Sequence, residues 1–147
     1  KNIDIVEYLT KNKINVVSHI GVTPQKFQNF NKIKSVGKNI KDKNNLLNLA
    51  KKLEIAGSKM IVLECINLGT SKEITNNLSI PTIGIGSSKY CDGQVLVIDD
   101  ILNLSSNDKK PKFVKSYINI EKNMDKAVKK FAKDVMNKNF PSKKYSY

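Results

Sequence analysis

Four apolar runs of strand length divide the chain: Ile14–Ser18, Met60–Cys65, Thr82–Gly86 and Gln94–Ile98. The run Met60-Ile61-Val62-Leu63 is apolar at every position, the pattern of a strand buried on both faces in a parallel sheet covered by helices. Between the runs, apolar residues recur at helical spacing. Ile3, Val6 and Leu9 mark a helix over 1–12, which begins without a cap, as if continued from upstream. Leu46, Leu49, Ala50, Leu53 and Ala56 line one face of the clearest helix, 42–56. Asp42 or Asn44 can cap its start, and Gly57 suits the left-handed position after its end. A shorter helix over 70–78 has Thr70 or Ser71 as cap. A last helix starts at Asn119 or Asn123 and aligns Met124, Ala127, Val128, Phe131 and Val135. Strand and helix alternating at roughly thirty-residue spacing is the repeated βα unit, which implies a parallel sheet within a single domain over 1–147.

Two polar residues stand out against this pattern. Glu64 closes the apolar run of the second strand, where an ionised carboxylate is costly without a partner or a task. In β/α folds the C-terminal ends of parallel strands carry the chemistry. The alternative reading is a Glu that caps the next helix or pairs with a lysine. His19 follows the first strand in a loop signalled by Gly21 and Pro24. A lone His there is either a structural hydrogen-bonding group or, by analogy with Glu64, a member of the same site.

Composition narrows the partners. The formal net charge of +13 invites a nucleic-acid reading. Every basic residue is lysine, however, spread over the whole length, and arginine, the residue best suited to bidentate phosphate and base contacts, is absent. The excess of Asn and Ile points instead to an A+T-rich coding sequence, so no nucleic-acid partner is expected. Cys65 and Cys91 form no C-x-x-C pair and read as buried thiols of a reducing cytoplasm. One histidine argues against a His-based zinc site. No run is long enough to span a bilayer, and no signal-peptide pattern occurs, so a cytoplasmic protein without a membrane partner is expected. The lysine-rich tail Phe140–Tyr147 is aromatic at both ends, which suits docking on a surface, a partner subunit being one possibility.

Six blocks then combine: SHIGVTPQ (Ser18–Gln25), VLEC (Val62–Cys65), SKEITNNLSIPTIGIG (Ser71–Gly86), CDGQVLVIDD (Cys91–Asp100), PKFVKSY (Pro111–Tyr117) and FPSKKYSY (Phe140–Tyr147). In order and spacing they resemble the ketopantoate hydroxymethyltransferase (3-methyl-2-oxobutanoate hydroxymethyltransferase) family, from one end of the chain to the other. The resemblance implies a (β/α)8 TIM barrel of the phosphoenolpyruvate/pyruvate type. Such a barrel needs roughly 250 residues, so this chain would hold its C-terminal half, about four βα units plus the last helix and tail. Phe27, Phe30, Ile33 and Val36 would anchor a long loop over the barrel mouth.

The resemblance also implies an activity. The family transfers a one-carbon unit from 5,10-methylenetetrahydrofolate to 3-methyl-2-oxobutanoate, giving 2-dehydropantoate for pantothenate and coenzyme A synthesis, through a magnesium-stabilised enolate. By motif match Glu64 is the proton acceptor, and His19 has a supporting role, hydrogen-bonding substrate or base. The family's magnesium carboxylates and its substrate-binding serine and lysine belong to the N-terminal half, so no metal ligand is expected in this chain and residues 1–147 alone are expected to be inactive. A homo-oligomer, decameric in the family, is implied as well. The chain departs from the pattern at Ser18, at Asn31–Lys38 (NKIKSVGK for GGYKVQGR), at Ser87 and Ser88 (GIGSS for GIGAG), within Ser105–Asp108 and at Tyr145 for a tail histidine. Where a lost glycine held positive φ, the backbone would have to change. A truncated or degenerate family member that serves as an assembly partner without turnover is the alternative.

Overall fold

Four strands form one all-parallel sheet in the order of the sequence: β1 (Val17–Gly21), β2 (Met60–Glu64), β3 (Thr82–Ile85) and β4 (Gly93–Gln94). The computed structural model describes residues 2–23, 34–104 and 110–146. A doubly wound sheet reverses its strand order at a switch point; a sheet that adds each parallel strand beside the last follows the barrel pattern instead. Helices α1 (Asn2–Lys11), α2 (Ile40–Ile55) and α3 (Leu68–Asn77) alternate with the first three strands. Most of the loop expected over 26–40, with Phe27, Phe30 and Ile33, and the departures at 31–33 and 105–108 lie outside the described residues.

Backbone contacts group the chain into two compact units. One is Lys1–Leu96 with Lys109–Val114; the other is Val97–Asp108 with Lys115–Tyr147. The whole sheet belongs to the first. Its core joins Ile20, Ile61 and Leu63 of the strands to Val6 of α1, Ala50 and Leu53 of α2, and Ile74 of α3. Strand alternation decides this. Ser18, Ile20, Ile61, Leu63, Thr82 and Gly84 point to the buried face, and His19, Val62, Glu64, Ile83 and Ile85 share the other. The prediction that β2 is buried on both faces is corrected accordingly: Ile61 and Leu63 are inaccessible, whereas Met60, Val62 and Glu64 are only half-buried. Burying one such leucine is worth about 2–3 kcal/mol.

Helix ends explain where the strands begin. After α1, Lys13 takes a left-handed conformation (φ 61°), the Ile14 N–H donates to Leu9 O (3.1 Å) and the Lys13 N–H to Thr10 O (2.9 Å). This is a Schellman motif, and it takes Ile14, expected to open the first strand, into the helix end. Pairing therefore starts at Val17 opposite Met60, and β1 runs on through His19 to Gly21, so His19 lies within the strand and not in a loop after it. The same motif closes α2 at Gly57 (φ 96°), as its sequence predicts, with Ser58 N–H donating to Leu53 O. The N-caps differ from expectation. Asn39 caps α2 by accepting from Asp42 N–H, and Asn67 caps α3 by accepting from Gly69 N–H. Thr70 and Ser71 are buried inside α3 instead.

The fourth run is cut short. Gly93 and Gln94 pair with Ile83 and Gly84, Val95 N–H adds one bond to Gly84 O, and the chain then turns into α4 (Ile98–Leu102) in the second unit, with Asp99 and Asp100 in its first turn. That unit also contains α5 (Ile120–Met136), capped by Asn119. The predicted apolar face of α5 is real as a stripe but exposed: Met124, Val128, Phe131 and Val135 are each at least 45% accessible. The tail aromatics dock within their own unit, Phe140 lying edge-on to Phe131 at 5.5 Å between centroids and Tyr145 6.0 Å from Phe140.

At the start of β3, Asp92 accepts hydrogen bonds from the Thr82 N–H (2.8 Å) and its hydroxyl (3.0 Å). These bonds, the backbone one foremost, outweigh the small effect of burial and hold the Asp92 carboxyl below the usual carboxylate range. A carboxyl depressed on folding stabilises the protein above its unfolded pKa of about 4 and loses that contribution as pH falls through the folded value. Asp92→Asn is therefore expected to cost about 1 kcal/mol at pH 7, reduced by solvent exposure. In urea unfolding the difference from wild type should shrink at pH 3. A difference independent of pH would show that the ionised carboxylate contributes nothing.

Candidate active site

The C-terminal end of β2 is fixed from three sides by main-chain hydrogen bonds. Glu64 O accepts from Val22 N–H (3.0 Å), beyond β1; Cys65 N–H donates to Ile85 O (2.9 Å), at the end of β3; Cys65 O accepts from Val36 N–H (3.0 Å). One residue further, the Ile66 N–H donates to Ser87 Oγ (3.1 Å), which also contacts Ile66 O (3.3 Å) and Ser71 Oγ (3.2 Å). Two backbone conformations allow this convergence. Gly21 adopts φ 114° and lies so close that an added Cβ would fall 2.1 Å from Glu64 O. Cys65, at φ 50°, occupies the left-handed region, which costs a non-glycine residue about 1–2 kcal/mol.

Within this frame Glu64 and His19 meet. They sit on the same sheet face, diagonally across the β1–β2 pair, with Gly21 opposite Glu64 and Val62 opposite His19. His19 Nε2 lies 2.9 Å from Glu64 Oε2, and the side chains are 38% and 15% accessible. With an ionised carboxylate as partner, the hydrogen of this bond belongs to Nε2. Glu64 Oε1 has no partner among the described residues. Among the described residues the pair thus presents one engaged carboxylate oxygen and one without a partner at a strand end. The reading of Glu64 as a helix cap or lysine partner is not what the geometry shows: Asn67 caps α3, and the side-chain partner of Glu64 among the described residues is His19.

Beside the pair opens a cleft of about 1020 Å³ between the ends of β2 and β3 and the segments at 34–38 and 110–113. Cys65, Ser87, Gln94 and Phe113 line it. The Cys65 thiol is pushed up, first by burial and then by the neighbouring Glu64 charge. Cys65 and Cys91 are both buried and unpaired, as expected. Of the departures within the described residues, Ser18 and Ser88 do not have positive φ, so neither carries left-handed strain. Ser18 shares a short hydroxyl–hydroxyl bond with Ser58 (2.6 Å), and Ser88 O accepts from Gln94 Nε2. Ser87 is a site residue that sequence reasoning missed. Its only signal was the serine-for-alanine change in GIGSS.

A parallel β/α sheet with a carboxylate–imidazole pair at a strand's C-terminal end has the layout of the β/α-barrel enzymes, whose chemistry sits at that face. Comparison with known proteins narrows this. The family model for ketopantoate hydroxymethyltransferase matches residues 1–143, and the chain belongs to that family, whose fold is a TIM barrel. The 3-methyl-2-oxobutanoate hydroxymethyltransferase of Pelagibacter ubique (strain HTCC1062) is 50% identical over 147 residues, all of this chain and 55% of that protein. Those of Clostridium botulinum (strain 657 / Type Ba4) and Buchnera aphidicola subsp. Schizaphis graminum (strain Sg) are 46% and 44% identical over 97% and 99% of this chain. The chain spans about half the length of these curated relatives.

The raised thiol of Cys65 makes a direct probe of the site. At neutral pH it stays protonated, so iodoacetamide should label it more slowly than free cysteine. Glu64→Gln removes the adjacent negative charge and should speed labelling at pH 8–9 several-fold, read by mass spectrometry of the Cys65 peptide. Labelling of Cys65 as fast as free cysteine at pH 7 would contradict this electrostatic picture.

Proposed function

We propose that Glu64 is the proton acceptor in hydroxymethyl transfer from 5,10-methylenetetrahydrofolate to 3-methyl-2-oxobutanoate, giving 2-dehydropantoate, with His19 as its positioning partner. The observation that supports this most is the 2.9 Å contact between His19 Nε2 and Glu64 Oε2 at the end of β2, in a chain of this family. His19 holds one carboxylate oxygen, which leaves Oε1 to take the proton from C3 of the keto acid. The C–H electron pair becomes the enolate, whose carbon attacks the methylene carbon of the folate, forming the new C–C bond. One methylene C–N bond breaks as the C–C bond forms, its electron pair and the proton held by Glu64 going to that nitrogen. Water then displaces the other nitrogen, which keeps a proton of the water, so that the water oxygen becomes the product hydroxyl and tetrahydrofolate leaves. Because the site is half-enclosed, the carboxylate is less hydrated than on an open surface, which favours its action as a base.

Magnesium, which the resemblance implies, takes oxygen ligands in a near-octahedral shell. Among the described residues no group of three or more His, Cys, Asp or Glu side chains is arranged to hold a metal ion. These residues do not fit a magnesium site, and no step here is routed through one. The proposal accordingly gives this half of the fold the base and its partner, and makes residues 1–147 alone insufficient for turnover. The same reading makes the enzyme a cytoplasmic homo-oligomer acting on a small keto acid and a folate. Among the described residues no helix is long and apolar enough to cross a membrane.

The test is exchange of the C3 proton of 3-methyl-2-oxobutanoate in deuterium oxide, followed by NMR with the protein that carries this chain and magnesium present. Glu64→Gln should slow exchange by about 10²–10⁴-fold, while keto-acid binding by calorimetry changes only a few-fold. Exchange at the wild-type rate in Glu64→Gln would remove Glu64 from the role, and absence of exchange in the wild type would favour a non-catalytic family member.

A further inference from the structure

The cleft beside the Glu64–His19 pair has a charge pattern that the proposed proton transfer does not use. Of the twelve described residues that line it, five are lysine, namely Lys34, Lys38, Lys89, Lys110 and Lys112, and none is acidic. The chain as a whole has 26 basic residues in 147, so its general lysine content accounts for less than half of this density. Outside the cleft, two lysines have acidic partners among the described residues, Lys43 with Glu73 and Lys129 with Asp125. Among the described residues, Lys34, Lys38, Lys89 and Lys112 are in no ion pair; Lys89 lies over the Tyr90 ring at 5.3 Å. Five like charges converge from three separate segments, 34–38, 86–89 and 110–112, onto one concave surface. Repulsion among Lys34, Lys38, Lys89 and Lys112 would be relieved by a bound anion, and a cleft focuses their field more than a flat surface does.

The remaining walls fit a ligand with an uncharged body. Phe113 packs over Gly86, where an added Cβ would stand 2.6 Å from the ring, so the aromatic side chain forms a wall next to the lysines. Gln94 and Ser87 supply neutral polar groups. Lysines act as mobile point charges, unlike the rigid fork of arginine. They therefore suit a flexible chain of anionic groups better than one fixed planar carboxylate.

We infer that this cleft binds a multiply anionic ligand group, a run of carboxylates or phosphates, held by Lys34, Lys38, Lys89, Lys110 and Lys112 at the C-terminal ends of β2 and β3. Two sources share that chemistry: an acidic tail on the one-carbon donor, or a separate phosphorylated small molecule. The inference rests on the proposed function only in placing the donor at this end of the sheet; the charge pattern stands without it.

The test uses tripolyphosphate as the probe, titrated by calorimetry into the full protein. It should bind with an affinity that falls steeply with salt. The pairs Lys34→Gln/Lys38→Gln and Lys89→Gln/Lys112→Gln should each weaken binding at least tenfold, and the control pair Lys130→Gln/Lys133→Gln on α5 less than twofold. Circular dichroism confirms that each variant is folded. Equal losses in all three pairs, or no binding by the wild type, would overturn the inference. Displacement of tripolyphosphate by 5,10-methylenetetrahydrofolate, more effective with a longer glutamate tail, assigns the cleft to the donor. Simultaneous binding of both assigns it to a separate phosphorylated ligand, and either result upholds the anion site. Glu64→Gln should bind tripolyphosphate as the wild type does. Tripolyphosphate binding without C3 exchange in the wild type would reject the proposed function and leave the cleft standing; exchange without such binding would do the reverse.

Discussion

Everything at this end of the sheet depends on how tightly β2 is held where it stops. A strand end is ordinarily where pairing fades and side chains gain freedom. Here the three residues Glu64, Cys65 and Ile66 each make main-chain hydrogen bonds to a neighbouring segment: to Val22, to Ile85 and Val36, and to Ser87. Such bonds contribute about 1 kcal/mol each. Their greater consequence is geometric, because they leave the Glu64 side chain little to vary except its own rotamer. Gly21 is what lets β1 come close enough, and the left-handed Cys65 is what turns the chain so that both its N–H and its C=O find partners. The strain at Cys65 is offset by those bonds and by its burial.

That rigidity gives the Glu64–His19 pair its chemical meaning. In the proposed reaction a carboxylate held at one oxygen, with the other unpartnered among the described residues, is oriented before any ligand arrives, and less of the barrier is spent on positioning. The surroundings are polar in a graded way. The sheet interior behind the pair is apolar, Cys65 is held as a neutral thiol, and the lysine-lined cleft lies to one side. Lysines line the cleft and a carboxylate stands beside it, so the two ends of the proposed site differ in charge.

Much of this was legible in the residues. The continuous apolar run of β2 and the Glu at its end required only hydropathy and the cost of a buried charge, and Gly57 announced the end of α2. The misplacements have local causes. β1 begins late because Lys13, not a glycine, takes the left-handed position after α1 and draws Ile14 into a helix end; nothing in the residue type signals that. The caps went to Asn39 and Asn67, with Asp42, Asn44, Thr70 and Ser71 close by, because capping is decided by which residue has extended φ and ψ, not by which has the best side chain. QVLVI reads as a strand by composition, yet only Gln94 pairs in register and Val95 adds one bond, the chain passing into another unit after Leu96. The contact between His19 and Glu64 spans 45 positions and needed the parallel register to be seen, as did the gathering of five lysines from three segments into one cleft.

The central claim is that His19 acts through Glu64, the two forming one unit at the strand end. A double-mutant cycle on the rate of C3 proton exchange addresses it most directly. If the unit is real, His19→Gln alone slows exchange, and adding it to Glu64→Gln slows exchange no further. If the two effects multiply, so that the double variant falls below Glu64→Gln by the full factor of the His19 change, the histidine works independently and the account is contradicted.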